Sequence, residues 1–159
     1  MKKLLVNTII SSMLVTSAMA TNLAIKIGAG STNIDGGDSA TTTDIQLAFN
    51  YSTISPKLYT SFLFGYTMGK INDKKLDSGN IQYNFGYIIK KKYTPYIFFG
   101  LNTANDIYID GSYYYGAGFK YNIYKKFGVE IEYKQFKSAS DVDNEPDSSN
   151  VSAYLSYGF

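Results

Sequence analysis

The residues able to do chemistry are few in kind. The chain has no His and no Cys, and Arg and Trp are absent too. It therefore lacks the commonest general base and metal ligand, and it has neither a thiol nucleophile nor a disulfide. What remains is Lys against Asp and Glu. Six of these charges fall in or beside stretches of apolar and small residues. Lys26 sits in LAIKIGA, Asp44 precedes IQLAFNY, Lys120 lies in YYYGAGFKY, and Glu130, Glu132 and Lys134 alternate through GVEIEYK. A buried charge is tolerated only when paired, and three cations against three anions suit a mutually satisfied network. The same set would also suit a gated polar pore or a proton relay. A second cluster, DVDNEPD at 141–147, places Asp141, Asp143, Glu145 and Asp147 at alternate positions. Oxygen-rich clusters bind Ca²⁺, but the EF-hand spacing and its turn glycine are missing, so a solvated acidic loop is the simpler reading. Ser and Asp are plentiful, yet spacing assembles no nucleophile–base pair. No catalytic residue, cofactor or metal ligand is assigned.

The elements that must position these charges are strands. Eight segments alternate with period two. The apolar faces run Leu23, Ile25, Ile27, Ala29; Ile45, Leu47, Phe49, Tyr51; Thr60, Phe62, Phe64, Tyr66, Met68; and Ile81, Tyr83, Phe85, Tyr87, Ile89. They continue Pro95, Ile97, Phe99, Leu101; Tyr113, Tyr115, Ala117, Phe119, Tyr121; Phe127, Val129, Ile131, Tyr133; and finally Val151, Ala153, Leu155, Tyr157, Phe159. The opposite face is small or polar, rich in Gly, Ser, Asn and Gln. It carries the candidate charges and a few larger residues: Leu63, Ile88, Phe98 and Tyr59, Tyr96, Tyr114, Tyr154.

The start, MKKLLVNTIISSMLVTSAMA, reads as a secretory signal peptide over residues 1–20. It has a basic Lys2–Lys3 region, a short apolar stretch and the small-residue pattern Ala18-Met19-Ala20. A membrane-anchor helix is the alternative, but the apolar run is short and polar residues interrupt it. Cleavage would remove Lys2 and Lys3 and with them the whole formal charge of +2. That excess therefore gives no ground for a nucleic-acid partner. Residues 21–159 form one domain.

The connections alternate in length and charge. STISPK, KKKYT and NIYKK are short. They carry Lys57, Lys90, Lys91, Lys92, Lys125 and Lys126 and no acid. A polar loop at roughly 30–43, KINDKKLDSGN, TANDIYID and KSASDVDNEPDSSN are long and hold most of the acidic residues.

Alternation alone does not say which face points outward. A soluble lipocalin-like barrel puts the apolar face inside; a membrane barrel puts it outside. An eight-stranded interior is only just wide enough for its own side chains, which suits the Gly- and Ser-rich face. Charges crowd into the links, and short turns oppose long loops, as in outer-membrane barrels. The expected fold is all-β: an eight-stranded antiparallel up-and-down transmembrane β-barrel.

The chain resembles the small eight-stranded outer-membrane barrels of Gram-negative bacteria: the membrane domain of outer membrane protein A, outer membrane protein X and the opacity proteins. TPYIFFGL (94–101) resembles a Pro-Tyr-x-x-x-Gly strand common in them. YNIYKKFGVEIEYKQF (121–136) resembles their tight turn and penultimate strand. The alternation of Val151, Ala153, Leu155, Tyr157 and Phe159 resembles the signal read by the outer-membrane assembly machinery. No peptidoglycan-binding domain is expected from these residues, so a cell-wall tether is not implied, and Tyr must replace Trp in the interfacial belts. The resemblance implies a monomer in outer-membrane lipid beside lipopolysaccharide, whose phosphates the acidic loops could meet through divalent ions. It implies a non-catalytic role in envelope integrity or surface contact. A narrow channel and a soluble periplasmic barrel holding an apolar ligand are the alternatives.

Overall fold

A computed structural model describes residues 22–34, 39–51, 56–71, 74–104, 113–137 and 148–159. The expectations for the signal peptide (1–20) and for DVDNEPD (141–147) lie outside these residues. Eight strands follow in order: β1 (Asn22–Ile34), β2 (Ser39–Tyr51), β3 (Leu58–Ile71), β4 (Lys74–Tyr87), β5 (Tyr93–Ala104), β6 (Tyr113–Tyr124), β7 (Phe127–Lys137) and β8 (Ser148–Gly158). Each pairs antiparallel with the next, and β8 returns to β1, closing the barrel. Closure leaves no sheet edge.

The period-two pattern sorts by face as the sequence predicts. Ile97 and Phe99 are each 64% exposed, whereas their neighbours Tyr96 and Phe98 are each 3% exposed. The outer wall is thus an apolar belt, and the interior holds the polar face. A lipocalin-like barrel needs the reverse arrangement. Aromatic rings gather where the belt meets the short turns, with Tyr93 against Tyr121 (5.4 Å between centroids) and Phe127 against Tyr157 (4.9 Å).

Two predicted long loops are largely strand. The sequence reads as a polar loop over roughly 30–43, but β1 continues to Ile34 and β2 begins at Ser39, with Gly30 paired to Thr42 and Thr32 to Ala40. KINDKKLDSGN is mostly ladder as well, with Lys70 opposite Lys75. Here the outward residues become polar (Ser31, Thr41, Thr43, Lys70), so the hydrophobic alternation disappears while β-branched Thr and the backbone ladder persist.

The interior alternates large and small side chains. Tyr96 lies between Gly86 on β4 and Gly118 on β6, its register partners. A Cβ on Gly116 would strike the Phe98 ring and the Tyr133 carbonyl. Tyr59, Tyr96, Phe98 and Tyr114 form one buried cluster, with Phe136 packed against it.

Candidate functional site

The six charges predicted to face inward all lie inside the barrel. The inward parity of β1, β2, β6 and β7 puts them there. Lys26 is at the heart of the group. Its Nζ lies 2.8 Å from Glu130 Oε2 and 2.8 Å from Glu132 Oε1. These two carboxylates stand two residues apart on β7 and so project from the same face. Lys120 Nζ on β6 is 3.1 Å from Glu130 Oε1, and Lys134 Nζ is 3.5 Å from Glu132 Oε2. The signs alternate: Lys120, Glu130, Lys26, Glu132, Lys134. Asp44 is fully buried inside the barrel, deeper than its place beside a predicted loop suggested. It meets Lys134 through one hydroxyl: Lys134 Nζ donates to Tyr154 Oη (2.7 Å), which donates to Asp44 Oδ2 (2.9 Å).

Neutral side chains complete the network. The Tyr96 hydroxyl reaches Glu132 Oε1 at 2.8 Å and Glu130 Oε2 at 3.0 Å, so its one proton is shared between them. Gln82 Nε2 donates to Glu132 Oε1 at 3.3 Å. Thr67 and Ser152 donate to Asp44. Lys26 also lies over the Tyr154 ring, 4.6 Å from its centroid, a cation–π contact. Parity in the sequence puts Tyr96 and Tyr154 on the inner face, but parity alone assigns them no role. The available signal was large hydroxylated residues at inward parity among glycines, facing charged strands.

The column fills mid-barrel. Towards the long loops a small polar cavity of about 30 Å³ remains, lined by Thr32, Thr42, Asp44, Asn80, Asn102 and Asn150 among others. It has room for about two waters. Chemically the arrangement neutralises buried charge in the barrel interior. Among the described residues no group of three or more acidic, His or Cys side chains is placed to hold a metal ion.

The predicted assembly residues lie on the outer face of β8 and just beyond it. Val151, Leu155 and Phe159 are well exposed. The Phe159 amide donates to the Leu23 carbonyl at 2.8 Å, and its ring stands edge-on to Tyr157 at 5.1 Å.

No family model matches the chain, and no curated protein matches it by sequence. Solved structures match through shape. A de novo designed transmembrane β-barrel is 16% identical, with a TM-score of 0.58 over 88% of this chain and 97% of that one. Neisserial surface protein A is 16% identical, with a TM-score of 0.58 over 87% of this chain and 96% of its own. The outer membrane protein Ail of Yersinia pestis, in a phospholipid bilayer nanodisc, is 16% identical, with a TM-score of 0.56 over 87% and 99%. At such identities the likeness is one of fold: the chain has the closed eight-stranded architecture of the small transmembrane β-barrels.

Proposed function

We propose that the protein is a non-catalytic integral barrel of the bacterial outer membrane, an anchor that presents its long loops at the cell surface. The observation that carries this reading is the pairing of an apolar outer belt with an interior whose buried charges, Asp44 included, are matched three against three. A belt of this kind needs lipid around it. A column whose charges are already matched holds no reserve of charge to attract an ion, and side chains fill an eight-stranded interior. The N-terminal signal would direct export, and the outward β8 residues ending in Phe159 would be the address read during insertion. Ail carries attachment in its name; for this chain, surface contact through the acidic long loops is the corresponding proposal.

Cell fractionation combined with heat-dependent gel mobility tests the placement. The protein is expected in the outer-membrane fraction, with folded and heated forms migrating differently; a freely soluble native protein would refute it. Planar-bilayer recording tests the closed lumen, and steady single-channel steps would favour the narrow-channel alternative. Removing Phe159 tests the address. Its exposed ring covers little of the barrel, so deletion should slow insertion far more than it destabilises protein already inserted.

A further inference from the structure

The outer wall is indented among the described residues. A surface groove of about 430 Å³ crosses β3 to β6 on the lipid-facing side, lined among others by Leu58, Phe85, Tyr87, Pro95, Ile97 and Ala117. Its origin is local. Pairing of β4 with β5 ends at Gly86–Tyr96, and the next residue of β5, Pro95, has no N–H to extend the ladder. Pro95 and Ala117 are short, while Phe85, Tyr87 and Ile97 stand up as walls.

The groove opens at the short-turn rim, and among the described residues of the two turns beside it every charged side chain is a lysine. Lys57 directly precedes Leu58, and its carbonyl accepts from Ile88 N at 2.7 Å. Lys90, Lys91 and Lys92 form the turn between Tyr87 and Pro95. The Lys92 carbonyl accepts from Asn122 N at 2.8 Å, fixing this turn beside β6. All four lysines are exposed. Lys90 and Lys91 both have positive φ, 51° and 57°. Ile89 pairs with Tyr93 across these three lysines; a tight turn whose two central residues both have positive φ favours Asn-Gly there, and successive non-glycine residues in that region are costly. The lysines are therefore present despite the backbone preference.

We propose that this groove and its lysine rim bind an anionic phospholipid. One acyl chain lies along Pro95 and Ala117, and the phosphate sits among Lys57, Lys90, Lys91 and Lys92. Apolar depth and positive rim match the two ends of such a lipid, and basic clusters at a membrane surface attract anionic headgroups. The proposal rests on the barrel residing in a bilayer.

Native mass spectrometry of the full chain, extracted in mild detergent and offered phosphatidylglycerol or phosphatidylcholine, tests it. The folded state of each sample is first established by heat-dependent mobility, which separates failure of this proposal from failure of the barrel reading. Phosphatidylglycerol should be retained roughly tenfold better. The variant Lys90→Asn/Lys91→Gly/Lys92→Gln suits the turn at least as well, yet should lose this preference. Ala117→Phe, which fills the groove from the lipid side, should reduce retention of both lipids. Lys125→Gln/Lys126→Gln, in the neighbouring turn, should change little. Inorganic phosphate at millimolar concentration should not displace the lipid. Equal retention of the two lipids by the native protein overturns the proposal. So does an unchanged Ala117→Phe variant, displacement by phosphate alone, or an equal effect from the Lys125/Lys126 variant.

Discussion

The barrel fills its interior in two ways. Along β1, β6 and β7 the space is taken by charges of alternating sign, from Lys120 through Glu130, Lys26 and Glu132 to Lys134. Along β3, β5 and β6 it is taken by aromatic rings laid over glycines, with Tyr59, Tyr96, Phe98 and Tyr114 in one cluster. Both regions are buried inside the barrel. They differ in what each residue demands of its neighbours. A carboxylate inside a barrel requires particular partners, and its loss of one leaves a buried charge uncompensated. A ring requires space of the right shape, and neighbours give way in part when that space changes. Tyr96 belongs to both regions: its ring packs on Tyr59, and its hydroxyl reaches Glu130 and Glu132.

The largest effect is expected at Lys26. Lys26→Met keeps most of the side-chain length but leaves Glu130 and Glu132 facing each other without their shared cation. Breaking a buried pair in this way costs about 3–5 kcal/mol. Urea titration in lipid vesicles, read by the fraction of the heat-modifiable folded form, should show that loss. The double variant Lys26→Met/Glu132→Gln should recover part of it, since Lys120 still pairs with Glu130 and Lys134 still reaches Asp44 through Tyr154. If the double variant is less stable than the single one, the column is not governed by charge balance.

Next in size is the aromatic side. A Cβ added at Gly116 meets the Tyr133 carbonyl and the Phe98 ring, whereas one at Gly158 meets only carbonyl oxygens at an ordinary 3.9 Å. Gly116→Ala should cost about 1–3 kcal/mol as an overpacked site, and Gly158→Ala should be close to neutral. The same urea titration distinguishes them. Equal losses at the two positions would mean that strand conformation, and not ring packing, sets the requirement for glycine.

How much of this was legible in the sequence follows from the same division. Inward and outward parity was readable throughout, because lipid-facing Ile97 and Phe99 differ in kind from Gly100 and Gly118. The ends of β1 to β4 were not. Above the belt both faces are polar, and Thr41, Thr42 and Thr43 look like loop to any reading based on hydrophobic contrast. Membership of the charge column was readable from Lys26, Lys120, Glu130, Glu132 and Lys134 at inward positions. Its pairing was not, since Lys26 on β1 meets β7 over the intervening β8, a contact fixed by barrel closure and strand stagger and not by spacing along the chain. Tyr154 was hidden for the same reason. Only the register that sets it opposite Glu130, with Lys134 and Asp44 in reach, turns an inward tyrosine into a bridge between charges.

The finest test compares two tyrosines that differ in the region they serve. Tyr154→Phe removes a hydroxyl that accepts from Lys134 and donates to Asp44, both charged. Hydrogen bonds to charged groups contribute about 1.5–3 kcal/mol, against about 0.5–1.5 kcal/mol for neutral ones. Tyr114→Phe removes a long 3.3 Å bond to the Ile81 carbonyl. The Tyr114 ring stays on Phe98 and Phe136, at 6.3 and 5.3 Å between centroids. The first variant should therefore lose roughly twice as much stability as the second or more. The loss at Tyr154 should also shrink when Asp44→Asn is already present, because the bridge then has only one charged end. Identical losses for the two tyrosines would place both in the aromatic region, where the ring matters and the hydroxyl does not, and would detach Asp44 from the column.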